Sequence, residues 1–312
     1  MPLHPQIQLL VDGMAADPNS TPIHEMTVAE ARATYVAIGT MFGPGPEVRS
    51  VEDRTLPGPG GEIPVRVYAP EGDGPFGVLL FFHGGGFVIG DLETHDKECR
   101  MLCRDGGCLV VAVDYRLAPE HHRTAGAEDG FAVLTWLREH ATELGGDPER
   151  LAVAGDSAGG NISAVVALMA RDTGGPALRL QVLIYPKVDA RLDGRYASMK
   201  ENAEAPFLSR ETMEWFEASW ATESVDRCDP MLSPLLADSH ARLPPALIAT
   251  GECDPLRDEG RAYAKALLDA GVPTELHDYD GMPHVFFQLS PIVDAGKDVI
   301  AKAAAALRTA LG

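Results

Sequence analysis

The sequence predicts an α/β protein built on a mostly parallel sheet flanked by helices, and three observations carry that expectation. Apolar strand-like runs alternate with amphipathic helical patterns along most of the chain. The strand-like runs are apolar almost throughout, as strands covered on both faces must be. Glycine-rich turns follow two of them, at 83–87 and 155–159. The chain has 312 residues, 45% hydrophobic and 23% charged, a composition that folds and is long enough to bury a large core.

In order, the strand-like runs fall at 64–68, 77–82, 108–113, 151–154, 180–185, 246–250 and 274–279. Helical patterns lie between most of them, at 95–104, 129–143, 158–171, 258–270 and 291–311. Two stretches stand outside the alternation. The first 45 residues carry helical patterns near 6–14 and 28–42, and the stretch 190–229 holds Phe207, Met213, Trp215, Phe216 and Trp220 in a chain that is only 6% aromatic. Such residues form either the buried face of an ordinary helix or the wall of a ligand pocket over the strand ends, where open α/β sheets bind ligands. The second reading divides the chain into a helical cap, 1–45 and 190–229, and a catalytic core, 46–189 and 230–312.

Composition also excludes partners. A net charge of -20, from 26 Lys and Arg against 46 Asp and Glu, repels phosphate backbones and anionic lipid surfaces, so neither nucleic acid nor a membrane is expected as partner. Five cysteines at no disulfide-framework spacing read as reduced thiols. With no basic, apolar leader at the start and no apolar run of about 18 residues, a soluble cytoplasmic protein is expected.

The chemistry-bearing residues sit at strand ends. Gly155-Asp156-Ser157-Ala158-Gly159 follows the run LAVA and precedes a helical pattern, the context of a nucleophile elbow that lifts a serine hydroxyl above the sheet. A serine that merely caps a helix would leave the two glycines unexplained. His83-Gly84-Gly85-Gly86-Phe87 follows GVLLFF, where backbone N–H groups of Gly84 and Gly85 are expected to join that of Ala158 in holding a developing oxyanion. Asp254 and His284 each follow a later strand-like run, and the order serine, acid, histidine is that of α/β-hydrolases. Serine needs a base near neutral pH, which imidazole supplies and a carboxylate orients. Asp156, Tyr115 and Asp189 read as structural. His121 and His122 lie in a polar loop and His277 in an apparent strand. Neither His121-His122 nor Cys99-x-x-x-Cys103 completes a metal-ligand set, so no metal is expected. Cys253, beside the acid, reads as a small buried filler.

With these residues in place the chain resembles the hormone-sensitive-lipase family, in particular bacterial esterases whose elbow reads GDSAGG. The resemblance rests on HGGGFVIGDLETHD (83–96), DYRLAPEH (114–121), GDSAGGN (155–161), QVLIYP (181–186), ENAEAPFL (201–208) and CDPLRDEG (253–260), in that order. It implies the α/β-hydrolase fold with a small helical cap, hydrolysis of short-to-medium acyl esters, no cofactor, and Ser157, Asp254 and His284 as catalytic residues. It also implies that two copies can pair, through the last helix or the strand at 274–279. The chain departs from the family where His122-Arg123-Thr124-Ala125-Gly126 replaces an aromatic residue and a proline, and where Val285 replaces glycine. An amide or carbamate hydrolase would use the same three residues, and a silent ligand-binding relative would lack the histidine that this chain has.

Overall fold

The structure of the chain is a computed structural model that describes residues 2–16, 21–191, 193–220 and 225–312. Its elements in chain order are α1 (Pro5–Ala15), α2 (Val28–Thr40), β1 (Ser50–Gly58), β2 (Gly61–Ala69), β3 (Phe76–Phe82), α3 (Asp96–Gly106), β4 (Leu109–Val113), α4 (Ala125–His140), β5 (Gly146–Asp156), α5 (Ala158–Asp172), β6 (Leu178–Ile184), α6 (Ser198–Glu201), α7 (Arg210–Trp220), β7 (Ala246–Gly251), α8 (Arg257–Asp269), β8 (Thr274–Tyr279) and α9 (Asp294–Leu311). The eight strands form one sheet in the order β1-β2-β4-β3-β5-β6-β7-β8. The pairs β1–β2 and β2–β4 are antiparallel and the rest are parallel.

The period of two along each central strand sends alternate side chains to opposite layers. Leu79 and Phe81 of β3, Val110 and Ala112 of β4, and Ala152 and Ala154 of β5 pack with Leu102, Val299, Ile300, Ala303 and Leu307 from α3 and α9. Their neighbours Val78, Leu80, Phe82, Val111, Leu151 and Val153 pack on the other face with Val133, Leu134, Ile162 and Val166 from α4 and α5. Both faces are covered, which is why these strands are apolar throughout. Cys99 and Cys103, one helical turn apart, are buried in the first of these layers.

Every strand-like run and long helical pattern has a counterpart, with shifted ends. β5 starts five residues before its apolar stretch, because Gly146 already pairs with Phe76; the polar residues 147–150 fall in the register shift before Leu151 pairs with Val78. One strand is absent from the sequence reading: β1, whose exposed Glu52, Asp53 and Arg54 mask it. It is an edge strand held in register on β2, with Asp53 opposite Arg66 and their side chains 2.6 Å apart. β8 forms the other edge, half of it exposed. Among the described residues no helix is long and apolar enough to cross a membrane.

The two segments outside the alternation meet over the strand ends. Trp215 of α7 donates its Nε1–H to the Met26 carbonyl at 3.1 Å, and Trp215, Phe216 and Trp220 pack with Ile23, Val28, Ala31 and Tyr35. α2 opens with a reciprocal cap between Thr27 and Glu30. Its Arg32 donates to the Val88 and Ala118 carbonyls at 2.8 and 3.0 Å, tying this layer to the glycine-rich loop after β3. α1 goes elsewhere: Ile7 joins the layer of α9, and Gln6 bonds Asp294. Parts of the two expected cap segments, residues 1, 17–20, 192 and 221–224, lie outside the described residues.

Candidate active site

Ser157 sits between β5 and α5 with φ 54° and ψ -115°, a conformation that L-residues avoid. Two close approaches force it. A Cβ on Gly159 would lie 2.0 Å from the Phe82 carbonyl oxygen, and one on Gly155 would lie 2.4 Å from the Gly159 carbonyl. The turn is so tight that only glycine fits on either side, and the hydroxyl is pushed out above the sheet. Ser157 N–H donates to the Ile184 carbonyl at 2.9 Å, anchoring the turn to β6.

Ser157 Oγ lies 2.8 Å from His284 Nε2, and His284 Nδ1 lies 2.7 Å from Asp254 Oδ2. Asp254 is fully buried and His284 nearly so. An ionised carboxylate only accepts, so Nδ1 carries the proton and the Nε2 lone pair faces the serine hydroxyl. The remaining carboxylate oxygen, Asp254 Oδ1, accepts from Leu256 N–H at 2.8 Å. The loops after β7 and β8 are fastened together by Cys253 N–H to the Met282 carbonyl at 2.9 Å and Glu252 N–H to the Tyr279 carbonyl at 3.0 Å. Asn202 holds the same loop, donating to the Asp254 carbonyl at 3.0 Å, and the Tyr185 ring packs on the imidazole at 4.4 Å. Sequence reasoning missed both of these supports. Asn202 and Tyr185 fall inside the blocks ENAEAPFL and QVLIYP, but nothing in a linear pattern tells what they touch.

The glycine-rich loop corrects one expectation. Gly84 was to offer its N–H to an oxyanion; that N–H instead donates to Asp156 Oδ1 at 2.8 Å, while the Gly84 carbonyl accepts from His83 Nδ1 at 2.7 Å. Pinned at both ends, Gly84 is the anchor of the loop, and a Cβ there would lie 2.3 Å from Asp156 Oδ2. Gly85 and Gly86, both at positive φ, line the cavity with Ser157 and Ala158. Among the described residues the Gly85 and Gly86 N–H groups meet no acceptor, and that of Ala158, first in α5, has none within its helix.

Beneath the elbow lies a buried set of ionisable groups. Burial pulls the His83 imidazole down to about 4, helped by His95, so His83 stays neutral and keeps its Nδ1–H for Gly84. The Tyr115 ring stacks on it at 4.3 Å, and the Tyr115 hydroxyl donates to the His83 carbonyl. His95 Nε2 lies 3.1 Å from Asp156 Oδ1. Burial opposes ionising Asp156, but His95 and the Gly84 N–H outweigh it and hold the carboxyl below its usual range. Asp156 thus fixes the loop, and Asp189 is engaged with Arg191 and Tyr196.

Glu98, 1% exposed and with Oε1 unpartnered among the described residues, is the costly member of the set. Burial pushes its carboxyl up to about 7 against the pull of His95 and Lys97. The fold therefore prefers the proton on. That preference contributes fully below the unfolded pKa of about 4.5 and is lost as pH rises through about 7. Glu98→Gln, neutral throughout, is expected to exceed the native protein in stability by about 3 kcal/mol at pH 8 and to match it near pH 4. Chemical denaturation at the two pH values checks this, and a difference that does not change with pH would contradict it.

Ser157 and His284 open into a cavity of about 830 Å³, including its mouth. Its walls include Phe207, Met213, Phe216 and Trp220 from the second outlying segment, so these side chains do line a pocket, whereas Trp215 braces α7 against Met26. Val285, at φ 63°, also lines it where glycine was expected. His121 and His122 are exposed and do not line this cavity, and His277 lies in β8 beside Glu275. Among the described residues no group of three or more His, Cys, Asp or Glu side chains is placed to hold a metal ion.

A serine, a histidine and an aspartate in hydrogen-bonded series at the carboxyl ends of a parallel sheet define the α/β-hydrolase class. The comparisons agree. Residues 79–288 match the model of a family described as having the alpha/beta hydrolase fold. The chain is 44% identical to "Carboxylic ester hydrolase LipN" of Mycobacterium tuberculosis, over 92% of this chain and 77% of that one. It is 37% identical to "Ethyl acetate hydrolase" of Pseudomonas putida, over 97% and 96% of the two chains. Among solved structures it is similar to a hyperthermophilic esterase of the archaeon Pyrobaculum calidifontis, with a TM-score of 0.93, 39% identity and 99% of both chains covered. The chain belongs to the α/β-hydrolase family, in the hormone-sensitive-lipase branch of bacterial esterases. It is a carboxylic-ester hydrolase of the serine type.

Proposed function

We propose that the chain hydrolyses short-to-medium acyl esters in two steps on Ser157, with His284 as base and Asp254 orienting it. The observation that carries this reading is the unbroken series Ser157 Oγ, His284 Nε2 and Nδ1, Asp254 Oδ2, opening into an apolar cavity. His284 takes the hydroxyl proton as Ser157 attacks the ester carbonyl. The oxyanion that forms is held by the N–H groups of Gly85, Gly86 and Ala158, while Gly84 keeps the loop in shape through Asp156. His284 then returns its proton to the departing alcohol, and water repeats the sequence to release the acid. Nothing in these steps calls for a cofactor.

The described residues of 190–229 and the helix α2 act as the cap that covers the acyl group, since Phe207, Met213 and Phe216 line the cavity with Ser157. Five unpaired thiols, four of them buried, suit a reducing compartment, and we place the enzyme in the cytoplasm. The native protein is expected to turn over p-nitrophenyl esters from acetyl to octanoyl well, palmitoyl poorly, and the matching anilides far more slowly. Anilide turnover equal to that of the esters would replace the esterase reading by an amidase one. Binding of the esters without turnover would point to a silent relative.

A further inference from the structure

Where the family resemblance leads one to expect an aromatic residue and a proline, this chain places Arg123. Its side chain lines the same cavity as Ser157 and His284 and is 7% exposed. The guanidinium is clamped between two rings, with Cζ 4.2 Å from the centroid of Phe87 and 4.2 Å from that of Trp220. Stacking satisfies the two faces of the guanidinium and leaves its edge, where all five N–H groups point. Among the described residues Nε, Nη1 and Nη2 have no hydrogen-bond partner. Burying an unpaired cation is costly, and nothing about stacking requires it.

The other charged side chains of the cavity wall have partners. Glu217 pairs with Arg227 at 2.6 Å, Lys187 with Glu259 at 3.2 Å, and Asp156 with His95 at 3.1 Å. Among the described residues Arg123 is the charge of this wall without an ion-pair partner. Burial lowers its pKa to about 10, with Glu217 holding it up, so it is still a cation at neutral pH. Much of the remaining wall is apolar, with Phe207, Leu208, Met213 and Phe216. One fixed, planar, forked cation in a wall whose other charges are already paired matches one planar, forked monoanion, a carboxylate.

We propose that Arg123 is a specificity-determining residue that binds a free carboxylate carried by the substrate, so that preferred substrates are esters of molecules with a second, unesterified acid group. The proposal rests on the esterase reading of the site and deepens it. The carboxylate sits on either the acyl or the alcohol side of the ester, and Arg123 discriminates such substrates from neutral esters of equal length by a charge-assisted pair that the neutral ones cannot make.

Hydrolysis followed by pH-stat tests it with two arms. One compares the monoethyl esters of glutaric, adipic and suberic acids with ethyl esters of unbranched acids of equal chain length. The other compares the acetate esters of ω-hydroxy acids with acetates of unbranched alcohols. The native protein is expected to prefer the carboxylate-bearing member in one arm. The ratio of kcat/KM between the two members is expected to fall by about 10- to 100-fold in Arg123→Met, and by less in Arg123→Lys. Both variants are checked for folding by thermal melts, and if Arg123→Met does not fold, the lysine variant carries the test, since it keeps the charge and loses the fork. A ratio that neither variant changes, or a native protein that hydrolyses only the neutral members of both arms, would make Arg123 a structural brace and overturn the proposal. Failure of the native protein on every ester, neutral ones included, would overturn the esterase reading itself and this proposal with it.

Discussion

Ser157→Ala is expected to fold as the native protein does and to lose ester hydrolysis by about 10⁴-fold or more in kcat. The substitution removes one oxygen from a half-buried position and leaves the elbow's anchor, the Ser157 N–H to the Ile184 carbonyl, untouched. His284→Ala is expected to lose a comparable factor, because without Nε2 at 2.8 Å the hydroxyl has no base. The two losses do not add. Serine and histidine act as one unit, so the double variant is expected to be no slower than the slower single one, with what remains coming from the N–H groups of the oxyanion site and from binding. Steady-state rates on p-nitrophenyl butyrate for the four proteins measure this. A double variant lower by the product of the single losses would mean that the two residues act independently.

Gly159→Ala is expected to have the largest effect on folding. The added methyl would meet the Phe82 carbonyl oxygen at 2.0 Å and the His83 carbonyl oxygen at 2.7 Å, both backbone atoms at the end of a central strand. Neither yields like the tip of a flexible side chain, so either the first turn of α5 moves off the sheet or β3 gives way. A destabilisation on the order of 3–5 kcal/mol follows, near the upper end for single substitutions, with a fall in Tm of roughly 5–8 °C. Gly13→Ala is the contrast. That glycine lies within α1 with open space around its Cβ position, and the change is expected to stabilise by up to about 1 kcal/mol. Equal effects from the two substitutions would show that the elbow is not packed as described.

The core strands, the elbow and the order of Ser157, Asp254 and His284 were legible because each is a local pattern: an apolar run, then a turn, then a functional side chain at the strand's end. What stayed hidden depends on partners far along the chain. Three successive glycines do not reveal which N–H faces the cavity. That choice is made by Asp156, 72 residues on, which occupies the Gly84 N–H, while Gly85 and Gly86 line the cavity. β1 escaped because an edge strand need not be apolar: Glu52, Asp53 and Arg54 keep their charges in water, and Asp53 gains a partner only through its register with Arg66. In the sequence Arg123 is only part of a departure from the family's pattern. Its place between Phe87 and Trp220 joins the loop after β3 to the end of α7, and no spacing rule connects residues 87, 123 and 220.

The aromatic residues of 190–229 show where composition stops short. Their number marked the segment as unusual, but whether they formed an ordinary buried face or a pocket wall depended on where the helix lay. Trp215 does the first, against Met26, while Phe216, one residue on, does the second, facing Gly86. On a helix, consecutive residues point about 100° apart, so both outcomes belong to one turn.

The most direct test of the account is to trap the serine. The native protein is treated with a p-nitrophenyl alkylphosphonate, which phosphonylates an activated serine hydroxyl and mimics the tetrahedral intermediate, and the labelled peptide is identified by mass spectrometry. The account predicts stoichiometric release of p-nitrophenol, one added phosphonyl group located on Ser157, and no labelling of Ser157→Ala. A label on any other residue, or a fully active protein that resists the reagent, would contradict it.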